Sequence, residues 1–192
     1  MNETQARCAW ADSDPLNAQY HDQEWGRPER REIRLFEMLT LEGAQAGLSW
    51  LTILRKRAGY RKAFVDFNPA RVAGFDQQTI DILVNDPGIV RHRGKIESTV
   101  NNARRILALW DQGLSLENLV WEIVDGKPKI NRWKSIADIP ATTTESVQLS
   151  KNLKKLGFRF VGPTTCYAFM QAAGLVNDHE TNCFCYSQCQ EK

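Results

Sequence analysis

The chain has 192 residues, 42% of them hydrophobic, and a formal net charge of only +2. That length suits one domain over 1–192, or two small helical lobes sharing a cleft, and is enough to bury a core. No apolar run approaches the roughly 18 residues a membrane span needs, and the first residues lack a secretory pattern, so a cytoplasmic protein with no membrane partner is expected.

The stretch to about residue 30 is rich in turn formers, DSDP and then HDQEWGRP, and reads as short helical turns and loop. From Ile33 to Arg57 apolar residues recur at helical spacing, and Leu35, Leu39, Ala46 and Ile53 share one face of a continuous helix. Gly43 and Gly47 are the two places where that helix could divide. Further helices are predicted over 76–85, 94–112, 115–124 and 144–156, with Asp76 and Ser115 as N-caps. Gly157 ends the last of these, and Pro163 opens another helix through TTCYAFMQAAG. Gly162, just before it, would let another backbone come close. Strand signals are weak, so the fold class is all-α.

Positive charge is local rather than global. It gathers in RKR at 55–57, RHRGK at 91–95 and KNLKK at 151–155, followed by Arg159. Any one cluster is as readily a solvated helix face as a nucleic-acid contact. The Gly162-Pro163 helix start, with Lys and Arg upstream, is suited to a DNA phosphate, although an ordinary helix–turn–helix corner has the same pattern.

Five cysteines, four of them in the last third, do not form a disulfide framework. Cys8 and His21 near one end, with His179 and Cys183 near the other, make a split set of zinc-type ligands. A purely local set of His179, Cys183, Cys185 and Cys189 is the alternative. Four protein ligands imply a closed, structural site, whereas a catalytic zinc keeps an open position.

Glu42 falls on the apolar stripe of the 33–57 segment, beside Trp50. A carboxylate there needs a partner or a purpose, because an unpaired buried charge is costly. Six tryptophans are many for this length, and Trp10, Trp25 and Trp50 share their segments with Tyr20 and Glu42. Aromatic faces and one acid describe a slot for a flat, positively charged heterocycle. Trp110, Trp121 and Trp133 read as core or rim.

The segments RCAWADSDPLNAQYHDQEWGRP, LFEMLTLEGAQAGLSW, GIVRHRGKI and GFRFVGPTTCYAFMQAAGLVNDH closely resemble the bacterial 3-methyladenine DNA glycosylase I family. The resemblance runs from Arg7 to about Tyr186. It implies a helix-hairpin-helix DNA-repair fold with one structural zinc on Cys8, His21, His179 and Cys183. It implies that Glu42 and Tyr20 act on the extruded base, that Trp50 stacks on it, and that Trp10 and Trp25 wall the pocket. Gly162, Thr164, Lys155 and Arg159 then fall on the hairpin that grips the DNA backbone. The expected activity is hydrolytic release of 3-methyladenine from double-stranded alkylated DNA by a monomer, leaving an abasic site, without a lyase step. Two positions depart from the pattern. Asn17 stands where an aromatic Tyr is frequent, and the position of a superfamily catalytic Asp is Asn177, with Asp178 beside it. The alternative from another class is a zinc-stapled damage-binding module without catalysis.

Overall fold

The computed structural model describes residues 6–190, so the expected single domain over 1–192 has its ends, 1–5 and 191–192, outside the described residues. Ten α-helices run through these residues: α1 (Pro15–Gln23), α2 (Glu32–Gln45), α3 (Trp50–Ala63), α4 (Pro69–Ala73), α5 (Gln77–Val84), α6 (Arg93–Trp110), α7 (Leu116–Glu122), α8 (Thr144–Lys155), α9 (Pro163–Ala172) and α10 (Phe184–Gln188). The all-α expectation needs one small amendment. Lys129–Ile130 (β1) pairs in parallel with Val176–Asn177 (β2), a two-residue ladder too short to leave an alternating signal.

The local signals set the helix ends. Asp76 accepts from the Thr79 amide and Ser115 from the Asn118 amide, each closing an N-terminus. Thr143 caps α8, and Gly157 (φ +83) follows that helix in the left-handed region. Pro163 occupies the first turn of α9.

The expected long helix over 33–57 is two. The chain breaks at 46–49, where Gly47 takes φ +81, and Ser49 starts α3 by accepting from the Thr52 amide. Gly43 does not break the helix. A Cβ there would stand 3.3 Å from both Cβ and the carbonyl oxygen of Phe160, so its role is to admit the turn between α8 and α9.

α2 is buried nearly all round and packs on α3, α6, α7 and α9. Phe36, Leu39, Ile53, Ile106, Leu153 and Phe169 make the core around it. Each such side chain contributes about 1.5–3 kcal/mol by leaving water. This central helix also carries two buried acids, Glu37 and Glu42, with opposite fates.

Candidate active site

An N-terminal and a C-terminal segment meet over a cluster of Cys8, His21, His179 and Cys183, all buried, whose ligand atoms lie within 4.8 Å of one another. The local alternative using Cys185 and Cys189 is not what the fold brings together around His179. His21 Nε2 and His179 Nδ1 are 3.2 Å apart, and Cys183 Sγ is 3.4 Å and 3.7 Å from them. Cys8 Sγ lies 3.6 Å from His179 Nδ1.

The outer nitrogens fix the tautomers. His179 Nε2 donates to the Trp25 carbonyl at 3.1 Å, and His21 Nδ1 donates to Asp22 at 2.8 Å. The inner nitrogens therefore present lone pairs to each other, an arrangement that calls for a cation between them. The Glu180 amide donates to Cys8 Sγ at 3.4 Å. Gly26 is required beside this cluster, since a Cβ there would stand 2.7 Å from His179 Nε2. These four residues could hold a metal ion.

One aromatic layer away opens a cleft of about 680 Å³. Its walls include Trp10, Tyr20, Trp25, Glu42 and Trp50, the five residues expected at a flat-ring slot. The metal cluster abuts these walls. Trp25 packs edge-on against His179 with centroids 4.7 Å apart, and Trp10 against His21 at 5.4 Å. Trp10 meets Trp25 at 5.2 Å, and Tyr20 meets Trp50 at 5.1 Å.

Glu42 is only 6% exposed and, among the described residues, makes no hydrogen bond or ion pair. Burial pushes its carboxyl up to about 8. Glu37, one turn and a half earlier on the same helix, is bonded by Arg34, Arg57 and Arg61. The contrast separates an acid whose charge the protein satisfies from one it leaves unpaired among the described residues. Burial, and then the nearby Glu42 charge, push the Tyr20 phenol well above its usual range, so it remains a hydrogen-bond donor.

The comparisons with known proteins concern the chain as a whole. A family model described as methyladenine glycosylase matches residues 10–186. The chain belongs to the methyladenine glycosylase family. It is 49% identical over 180 residues to DNA-3-methyladenine glycosylase 1 of Escherichia coli, covering 94% of this chain and 96% of that one. It superposes on a crystal structure of 3-methyladenine DNA glycosylase I with a TM-score of 0.92 at 52% identity, covering 94% of this chain and 99% of that one. A Tyr-to-Phe variant of 3-methyladenine DNA glycosylase I, solved in complex with 3-methyladenine, gives a TM-score of 0.90 at 40% identity, with 97% of this chain and 98% of that one covered.

Outside the cleft, this member of the family places its basic residues unevenly. Arg57, from the 55–57 cluster, is no phosphate ligand. It is 8% exposed and grips Glu24 and Glu37, because α3 turns that face inward. Most of the 91–95 cluster is also committed, while Arg91 is exposed. His92 caps α6, Arg93 pairs with Asp81, and Lys95 donates to the Ala44 and Ala46 carbonyls at the end of α2. Lys155, Arg159 and Thr164 are exposed, and open space lies where a Gly162 side chain would be. Among the described residues, no protein backbone makes the close approach expected at Gly162. Thr164 also lines the cleft, so the start of α9 adjoins its mouth.

Sequence reasoning missed the residues that hold this turn. Asn102 on α6 donates to the Arg159 carbonyl and accepts from the Arg159 amide, and Asn101 donates to the Gly157 carbonyl. It also missed Leu48 and Ile136. Ile136 lines the cleft, Leu48 sits on the 46–49 break beside it, and both are exposed apolar side chains.

Asp178 lies behind the cleft wall rather than in it. It accepts from Asn131, Trp133, Tyr167 and Gln171 at 2.5–2.8 Å, and four donors fill a carboxylate's lone pairs. Asn177 is likewise occupied, donating to the Tyr186 carbonyl and accepting from the His179 amide. Of the remaining tryptophans, Trp121 is core, Trp110 is bonded at the surface to Glu32, and Trp133 braces Asp178.

Proposed function

We propose that this protein removes 3-methyladenine from alkylated double-stranded DNA by hydrolysing its N-glycosidic bond, leaving an abasic site. Membership of the family makes the chain a DNA N-glycosylase of the 3-methyladenine class. The observation that carries the reading is Glu42, a buried carboxyl with no partner among the described residues, opening onto an aromatic cleft.

The damaged base must leave the duplex to reach such a cleft, since chemistry on a base requires extrusion from the stack. Methylation at N3 gives the base a positive charge. Trp10, Trp25 and Trp50 offer aromatic faces to a cation, and Glu42 offers the opposite charge. Burial raises the Glu42 carboxyl to about 8, so the protein alone disfavours its ionised form. An incoming cation draws the carboxyl back down, so the acid ionises as the damaged base enters. Neutral adenine provides no such drive and is rejected. Tyr20 donates a hydrogen bond that orients the ring.

The alkylated base departs as a neutral molecule, so a strong general acid is unnecessary. Asp178, saturated by four donors, is a structural acid in this reading. With no lysine among the cleft-lining residues, a Schiff-base lyase step has no nucleophile there.

The metal is zinc in this reading, held by Cys8, His21, His179 and Cys183. A tetrahedral zinc with bonds of roughly 2.0–2.1 Å to nitrogen and roughly 2.3 Å to sulfur sets edges of about 3.3 Å (N–N) and about 3.6 Å (N–S). The corresponding separations here are 3.2 Å and 3.4–3.7 Å. Zinc supplies no chemistry at the base. Bound there, it would join the segments around Cys8 and Cys183 and hold the imidazoles against which Trp10 and Trp25 pack.

The turn from α8 to α9 supplies the DNA grip, with Lys155 and Arg159 on phosphates and the amides around Gly162 and Thr164 at a helix N-terminus. Chromatography of bases released from methylated DNA tests the whole reading. Free 3-methyladenine is the expected product. Tight binding to damaged DNA without base release would instead favour a recognition module.

A further inference from the structure

Two buried polar side-chain atoms that line the cleft have no partner among the described residues, Asn17 Oδ1 and Trp50 Nε1. Asn17 is 8% exposed, and its place on α1, three residues before Tyr20, puts both side chains on the same helix face. The orientation of its amide follows from the neighbouring bonds. Ser13 Oγ lies 2.7 Å from the Trp10 carbonyl, which can only accept, so Ser13 uses its single proton there. Its oxygen then meets Asn17 as an acceptor, and Asn17 Nδ2 donates to it at 2.9 Å. The Asn17 carbonyl oxygen is thereby left unpaired in a cleft wall, and a buried acceptor without a donor is costly.

We propose that Asn17 Oδ1 accepts a hydrogen bond from the exocyclic amino group of the bound base, making Asn17 a specificity-determining residue for amino-bearing purines. The inference rests on the cleft being the base pocket. An exocyclic amine carries two N–H bonds, enough to serve both Asn17 and Glu42. A base with hydrogen or a carbonyl oxygen at that position leaves the Asn17 acceptor unmet, or sets two acceptors against each other. The Ser13 lock holds the amide so that it cannot offer its NH2 to such a base instead.

The test compares two free bases, 3-methyladenine and the des-amino analogue 3-methylpurine, on the zinc-replete full-length protein by tryptophan fluorescence and calorimetry. Asn17→Leu keeps the side-chain volume close and removes both amide heteroatoms. The expected result is a loss of about threefold to tenfold in 3-methyladenine affinity, the range for one net hydrogen bond, with 3-methylpurine unchanged. The analogue serves as the internal control for an intact pocket, and Asn17→Ala is measured the same way should the leucine variant not fold. Equal loss for both bases overturns the proposal, because it marks a packing role. Unchanged 3-methyladenine affinity overturns it as well, while leaving the pocket reading intact. Failure of the wild-type protein to bind 3-methyladenine overturns both.

Discussion

Replacing Glu42 by Gln is expected to impair the enzyme and stabilise its fold at the same time. The carboxyl is buried without a partner among the described residues, and burial raises it from the ordinary 4.5 to about 8. A group raised in this way favours folding fully below its unfolded value, and that contribution is lost as pH climbs towards the folded value. Each pH unit between roughly 4.5 and 8 therefore removes about 1.4 kcal/mol from the wild type and nothing from the glutamine variant. Between pH 6 and pH 8, where titration of Glu42 is partly complete at the upper end, the difference amounts to about 2 kcal/mol. For a chain of 192 residues that is a relative shift of about 4–8 °C in Tm. Urea unfolding of both proteins at pH 6, 7 and 8 reads the effect directly. Other titrating groups are common to the pair and cancel in the difference. Excision should fall by roughly tenfold to a hundredfold, the worth of a charged hydrogen bond acting in the transition state. A stability gap that stays constant across pH 6–8 would refute the argument, since Glu42 would then be ionised and paired rather than waiting for a cation. Wild-type excision by the variant would move the recognition chemistry to Tyr20 and the tryptophans.

One zinc per chain should appear on elemental analysis, and chelation should lower Tm and loosen the segments around Cys8 and Cys183 together, because the cluster draws its ligands from both. A metal-free protein that melts normally would remove the zinc reading. Asp22→Asn is expected to weaken zinc by about tenfold to a hundredfold, as it takes away the carboxylate behind His21; competition with a chromophoric chelator measures it. Lys155→Ala and Arg159→Ala should each weaken binding to all DNA sequences alike and reduce the salt slope by about one. An unchanged slope would show that the side chain does not reach a phosphate.

Much of this protein was legible along the chain because the signals were local. Asp76, Ser115, Gly157 and Pro163 act on the backbone within a turn of themselves, and each sits at the helix end it announces. The four metal-type ligands could be singled out because Cys and His are few and their chemistry is narrow. Glu42 stood out because an acid on an apolar stripe conflicts with the cost of burying charge.

The fates of the other charges needed the fold. Glu37 and Glu42 lie on one helix; Arg34 on that helix, joined by Arg57 and Arg61 from α3, satisfies the first, while no such partner reaches the second among the described residues. Arg57 and Lys95 looked like phosphate ligands in their basic runs, yet one is buried in ion pairs and the other closes the end of α2. Asp178 became structural through Asn131, Trp133, Tyr167 and Gln171, partners from 7 to 47 residues away. Sequence pattern reports what a residue can do within its own turn of helix. Whether its charge or hydrogen bond is already taken depends on segments that only tertiary packing brings alongside.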